Sequence, residues 1–162
     1  MRSMSRFVYS STLALSILGI HCNTDAAVFV APTVESPTLT VEKAALGTKL
    51  TGTFKLKLHL SARASGPSQV TLSSFSLKSA DQKTTYVDPL PFSADKSAPI
   101  AVAENSDTLV VITVDTGANL LPSTVHDTIC GGGQVVVTGI LVDSLQTSST
   151  TFESDAFAPT GC

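Results

Sequence analysis

Period-two alternation of apolar and polar residues dominates the middle of the chain. Leu50, Gly52, Phe54, Leu56, Leu58, Leu60 and Ala62 share one parity, and Thr51, Thr53, Lys55, Lys57, His59, Ser61 and Arg63 share the other. Successive side chains of a strand point to opposite faces, so this run predicts one long strand with one face in a core and the other in water. Leu39 and Val41 predict a shorter strand before it, with a turn around Gly47 between them. Past the Gly66-Pro67 turn, Val70 and Leu72 lie on one parity but Phe75 and Leu77 on the other. A β-bulge near Ser73 and Ser74 brings all four to one face.

The later runs read differently. Leu109 to Val114 and Val135 to Val142 are almost continuously aliphatic or β-branched, which predicts strands with protein on both faces. Ile100 to Val102 predicts a short strand ended by the turn Glu104-Asn105-Ser106-Asp107, and Thr147 to Phe157 an edge strand leading to Cys162. No segment shows an apolar stripe at helical spacing. The expected fold is all-β, an antiparallel β-sandwich of about seven or eight strands in preference to a barrel.

The order of these segments, a long alternating strand, a Gly-Pro turn, a Val/Leu/Phe strand, a polar loop, then Ile100-Ala101-Val102 and Leu109 to Val114, resembles immunoglobulin-like and fibronectin-III-like sandwiches. The Val-x-x-x-Gly spacing of Val135 to Gly139 is similar to the final strand of the desiccation-protein (WHy-type) sandwich. The resemblance covers residues 36 to about 157 and implies an immunoglobulin-like fold. It carries over no functional residue: there is no Trp, and the cysteines do not have antibody-domain spacing.

The N-terminal end follows another logic. Arg2 and Arg6 precede a 14-residue apolar and hydroxyl stretch, Phe7 to Ile20. A bilayer span needs about 20 apolar residues, so this stretch is expected to be the core of a signal peptide. Leu18-Gly19-Ile20-His21-Cys22 resembles the lipobox of bacterial lipoproteins, which implies lipidation of Cys22. Gly19 and His21 depart from that pattern, and cleavage after Ala26, with Thr24 and Ala26 as the small residues, is the alternative. The expected organisation is a signal peptide over residues 1–22, a tether over 23–35 carrying Pro32, and a sandwich domain over 36–162. Export then makes a disulfide between Cys130 and Cys162 the simplest fate of the remaining thiols. Closing a loop of about 33 residues should stabilise the fold by about 3 to 4 kcal/mol in the chain-entropy model.

Composition narrows the functional classes. Ser and Thr make up 42 of 162 residues, and without Arg2 and Arg6 the chain carries 8 basic and 13 acidic residues, a net charge of −5. A mildly acidic body without a basic stripe argues against nucleic acid or an anionic lipid surface as partner, leaving a lipid on Cys22 as the membrane link.

Each chemical candidate has a plainer reading. His126, Asp127 and Cys130 lie close together, but nucleophile and base normally meet through the fold, and Cys130 is needed for the disulfide. They are expected in an ordinary loop. Gly131-Gly132-Gly133 lacks the Lys-Ser or Lys-Thr of a phosphate loop and reads as a flexible turn. Asp81, Asp88 and Asp95 share one loop, with Glu104 and Asp107 beyond it, without the calcium-loop spacing. His59 is placed on the outward face of the long strand. The sequence thus assigns no catalytic, metal-binding or cofactor-binding residue and no cofactor.

Ser79 to Pro99 is long for a connection, and Tyr86 and Phe92 within it are candidate contact residues, against the alternative that they plug the sandwich. The expected function is a noncatalytic exported binding or structural module of the cell envelope, with a protein or glycan partner. The alternatives are a small exported enzyme with an unrecognised site and a desiccation-protective sandwich.

Overall fold

A computed structural model describes residues 28–162 of the chain. The expected signal peptide, the lipidation candidate Cys22 and the first part of the tether lie outside the described residues. Among the described residues the elements run β1 (Ala31–Ala44), β2 (Gly47–Leu60), β3 (Ser68–Ser79), β4 (Thr85–Val87), β5 (Phe92–Ala94), β6 (Ile100–Val102), β7 (Ser106–Asp115), α1 (Thr124–Gly132), β8 (Val135–Asp143) and β9 (Ser149–Glu153). One sheet has the order β1-β2-β7-β5 and the other β4-β3-β8-β9, with β6 pairing the same edge of β3 as β4. The paired strands are antiparallel, so the fold is an all-β sandwich.

The inward face of β2 is the main rib of the core. Leu50, Phe54, Leu56, Leu58 and Leu60 are all buried, and each such side chain contributes about 1.5–3 kcal/mol by leaving water. Phe75, from β3 of the facing sheet, sits at the centre. Its ring meets Phe54, Phe92 and Phe152 edge-on at centroid distances of 5.4, 4.6 and 5.8 Å, the geometry that aromatic quadrupoles favour. The register of β3 against β8 shifts between Leu72 and Ser74. That is the bulge the parity change demanded, and it leaves Val70, Phe75 and Leu77 fully buried.

Four expectations are corrected. β1 begins at Ala31 and pairs with β2 from Ala31 opposite His59 onward, so residues 31–35 are strand and not tether. β7 alternates, with Val110, Ile112 and Val114 buried but Leu109 42% exposed, because the outer face of its sheet carries no further layer among the described residues. β8 is buried on both faces only in its first half; Ile140 and Val142 are 38% and 46% exposed. Finally, His126, Asp127, Cys130, Gly131 and Gly132 lie in a nine-residue helix, α1, not in a loop and flexible turn. Ile129 of that helix is fully buried and plugs the end of the sandwich.

The segment read as one long connection, 79–99, contains two of the nine strands described. β4 belongs to one sheet and β5 to the other, so the chain crosses between the layers here and closes the side of the sandwich. Leu90, between them, is buried, and its amide donates to the Phe75 carbonyl at 2.7 Å.

Candidate functional site

The two ends of the sandwich differ. At one end lie residues 28–30, beside the connections 61–67, 103–105 and 144–148; this is the N-terminal end. At the other lie the β1–β2 hairpin, α1 and the disulfide; this is the helix end.

At the helix end, α1 begins without a local cap, since Ser123 makes no side-chain capping bond. The first amides of a helix have no partner within it. The buried Thr48 of β2 supplies one: its hydroxyl accepts from the His126 amide at 3.1 Å and donates to the Pro122 carbonyl at 3.0 Å. Thr48 also exchanges two backbone bonds with Leu121 at 2.8 and 2.9 Å. A threonine 78 positions away thus does what an N-cap residue does.

The helix then aligns three side chains, and β1 brings a fourth to them. His126 and Cys130 are one turn apart on the same face, with His126 Nε2 3.8 Å from Cys130 Sγ. His126 Nδ1 lies 3.0 Å from Asp127 Oδ1, and Lys43 Nζ of β1 lies 3.3 Å from that same oxygen. The hydrogen bond from His126, and after it the bond and charge of Lys43, hold the Asp127 carboxyl below the usual carboxylate range. Only 15% of the His126 side chain is exposed, against 68% of Asp127.

Cys130 is bonded to Cys162, with a Cα–Cα distance of 5.4 Å, as the cysteine count predicts. The tail carrying Cys162 has its own attachments. Phe157 and Val135 exchange two backbone bonds at 3.0 and 2.8 Å, Thr160 donates to Leu39 at 2.8 Å, and Val41 donates to Thr160 at 2.8 Å.

No family model, curated protein or solved structure matches this chain. Its residues alone must carry the functional reading.

A second polar cluster lies at the N-terminal end, on the outer face of the β1-β2-β7-β5 sheet. His59 Nδ1 of β2 is 2.6 Å from Asp107 Oδ1 of β7, its cross-strand neighbour in the register. His59 Nε2 is buried and has no hydrogen-bond partner among the described residues. The pair borders a pocket of about 230 Å³ with Ala31, Thr33 and Lys57.

The other sequence candidates find local uses. Tyr86 is half-buried and its hydroxyl sits over α1, where a Cβ at Gly132 would lie 2.1 Å from it. Phe92 is half-buried against Phe75. Both rings are turned toward the protein, so neither stands out as an anchor for a partner. Asp81 accepts from Ser79 Oγ at 2.6 Å, Asp88 from Ser76 Oγ at 3.1 Å, and Asp95 from the Val111 amide at 2.8 Å. These carboxylates do not converge, and no group of three or more His, Cys, Asp or Glu side chains is gathered for a metal among the described residues.

Asp143 was not singled out by the sequence, because an Asp closing an aliphatic run reads as the end of a strand. It is fully buried. Its Oδ2 accepts from the Val30 amide at 2.7 Å, and its Oδ1 accepts from Ser68 Oγ and from the Leu145 amide at 2.9 Å.

Proposed function

We propose that this protein is a noncatalytic exported binding or structural module of the cell envelope, and that it offers the helix end of its sandwich to a protein or glycan partner. The observation that carries this reading is the opposition of the two ends. Residues 1–27 join the domain at the N-terminal end, where Val30 is bonded to Asp143. A lipid on Cys22, or any attachment through that segment, would leave α1, the disulfide and the β1–β2 hairpin directed outward. At the tip of that hairpin Leu46 is 91% exposed. A disulfide is at home in an oxidising compartment, which supports export. The order of strands along the chain supports the immunoglobulin-like class within the sandwich architecture.

The test has two parts. Mass spectrometry of the mature N-terminus distinguishes a diacylglycerol adduct on Cys22 from a free Ala27, and an intact Met1 would refute both cleavages and leave an uncleaved leader. Immobilised envelope proteins and glycans should retain the domain saturably. Leu46→Asp should abolish retention, while Gln146→Asp at the N-terminal end should preserve it; loss only with Gln146→Asp would refute the assignment of the helix end.

A small exported enzyme is the second reading, favoured by the unpartnered Nε2 of His59 in its pocket with Asp107 and Lys57. Turnover of a chromogenic ester or glycoside that His59→Ala abolishes in a folded protein would replace the first reading with this one.

A further inference from the structure

The two sulfurs of the disulfide are not equivalent. Cys162 is exposed, whereas Cys130 is half-buried and has His126 Nε2 3.8 Å from its sulfur. The bond between Nδ1 and Asp127 holds the ring with Nε2 facing the sulfur, and it is the protonated ring whose Nε2–H can donate to a Cys130 thiolate. The Lys43 ammonium on Asp127 fixes the carboxylate in place.

Tail position does not depend on the S–S bond alone, because the backbone bonds of Phe157 and Thr160 hold it on Val135, Leu39 and Val41. Gly161 adds a steric condition. Its φ is +84°, and a Cβ there would lie 2.3 Å from the Val41 carbonyl oxygen, so only glycine brings the chain round to set Cys162 against α1. With the bond broken, the two sulfurs would remain neighbours on a folded domain.

We propose that Cys130–Cys162 is an exchange site for small thiols, in which Cys162 is the attacked sulfur and Cys130 the leaving thiolate stabilised by His126. A thiolate RS⁻ attacks Cys162 Sγ. The S–S bond breaks as the RS–S bond to Cys162 forms, and the electron pair leaves on Cys130 Sγ. The incoming thiol is oxidised to a mixed disulfide and Cys130 is reduced, with no other reactant. Attack of the Cys130 thiolate on Cys162 Sγ reverses the step and expels RS⁻. A second RS⁻ attacking the sulfur of the bound R group instead releases RSSR and leaves both cysteines reduced.

Access and leaving ability both set this direction. Exchange is faster at the accessible sulfur and when the departing thiol has the lower pKa, and an adjacent imidazolium lowers it. The helix opposes this: Cys130 lies near the C-terminal end of α1, where the backbone dipole disfavours a thiolate, and the last turn carries no basic residue. His126 is therefore the group that decides which sulfur leaves.

The experiment treats the oxidised full chain with reduced glutathione under native conditions, quenches with acid and maps adducts by mass spectrometry, with circular dichroism following the fold. The expected adduct is on Cys162, in at least about fivefold excess over Cys130, at a rate proportional to glutathione. His126→Asn should slow the step by at least about threefold and reduce the Cys162 preference, a change that a purely structural histidine would not cause. Adducts equally divided or mainly on Cys130, a rate independent of glutathione, or an unchanged rate in folded His126→Asn would each overturn the proposal. Should His126→Asn fail to fold, adduct position and kinetic order in the unmutated chain decide it.

Discussion

The Val30 amide donates to Asp143 Oδ2 at 2.7 Å across 113 residues. With Ser68 Oγ and the Leu145 amide on its other oxygen, this one carboxylate ties the start of β1, the start of β3 and the turn after β8 at the N-terminal end. Hydrogen bonds to a charged group contribute about 1.5–3 kcal/mol each, and removing the acceptor orphans the buried donors. Asp143→Ala is expected to cost at least about 3 kcal/mol in urea unfolding. Asp143→Asn should recover only part of it, since one amide oxygen replaces two carboxylate oxygens.

Tyr86 and Gly132 give a prediction with a change of sign. Replacing a glycine by alanine inside a helix normally stabilises by about 1 kcal/mol. Here the added Cβ would lie 2.1 Å from Tyr86 Oη and 3.3 Å from its Cζ, so Gly132→Ala alone is expected to lower the Tm. In a Tyr86→Phe background the nearest clash is gone, and the same substitution should be close to neutral or stabilising.

Phe92 separates a contact role from a packing role. Its ring meets Phe75 edge-on at 4.6 Å, so Phe92→Ala should lower unfolding free energy by about 2 kcal/mol, less than for a fully buried ring. Retention on an immobilised partner, measured where the variant is folded, should not change.

Asp127 makes stability depend on pH in a defined direction. Its folded pKa lies below the ordinary value of 3.8, so the charged form is favoured by folding. This stabilisation is present above the unfolded pKa and is lost as pH falls through the folded one. Asp127→Asn should therefore melt below the unmutated protein near neutral pH, with the gap closing in acid below about pH 3.8. Thermal melts across that range check it.

What could be read from the chain follows from what is local. The parity of Leu50 to Leu60 assigned the inward face of β2 correctly, and the switch between Leu72 and Phe75 located the bulge, because strand side chains alternate whatever the partner strand is. The pairing of Cys130 with Cys162 followed from the count of cysteines and the expected compartment. The helix escaped because its nine residues include Thr, Val, Ile and two Gly, all poor helix formers beside Ala or Leu, and because its cap comes from Thr48. Without the helix, the spacing of His126 and Cys130 carried no geometric meaning.

By itself, then, the sequence determined a β-sandwich, the buried face of β2 and its disulfide, since alternation and cysteine pairing need little knowledge of what lies opposite. The tertiary structure decided the rest. It closed the 79–99 segment over the core, drew Lys43, 84 residues from Asp127, onto the His126–Cys130 turn, and buried Asp143 under Val30. Those groups meet only when distant segments pack, and the order of residues along one chain does not encode such distances locally.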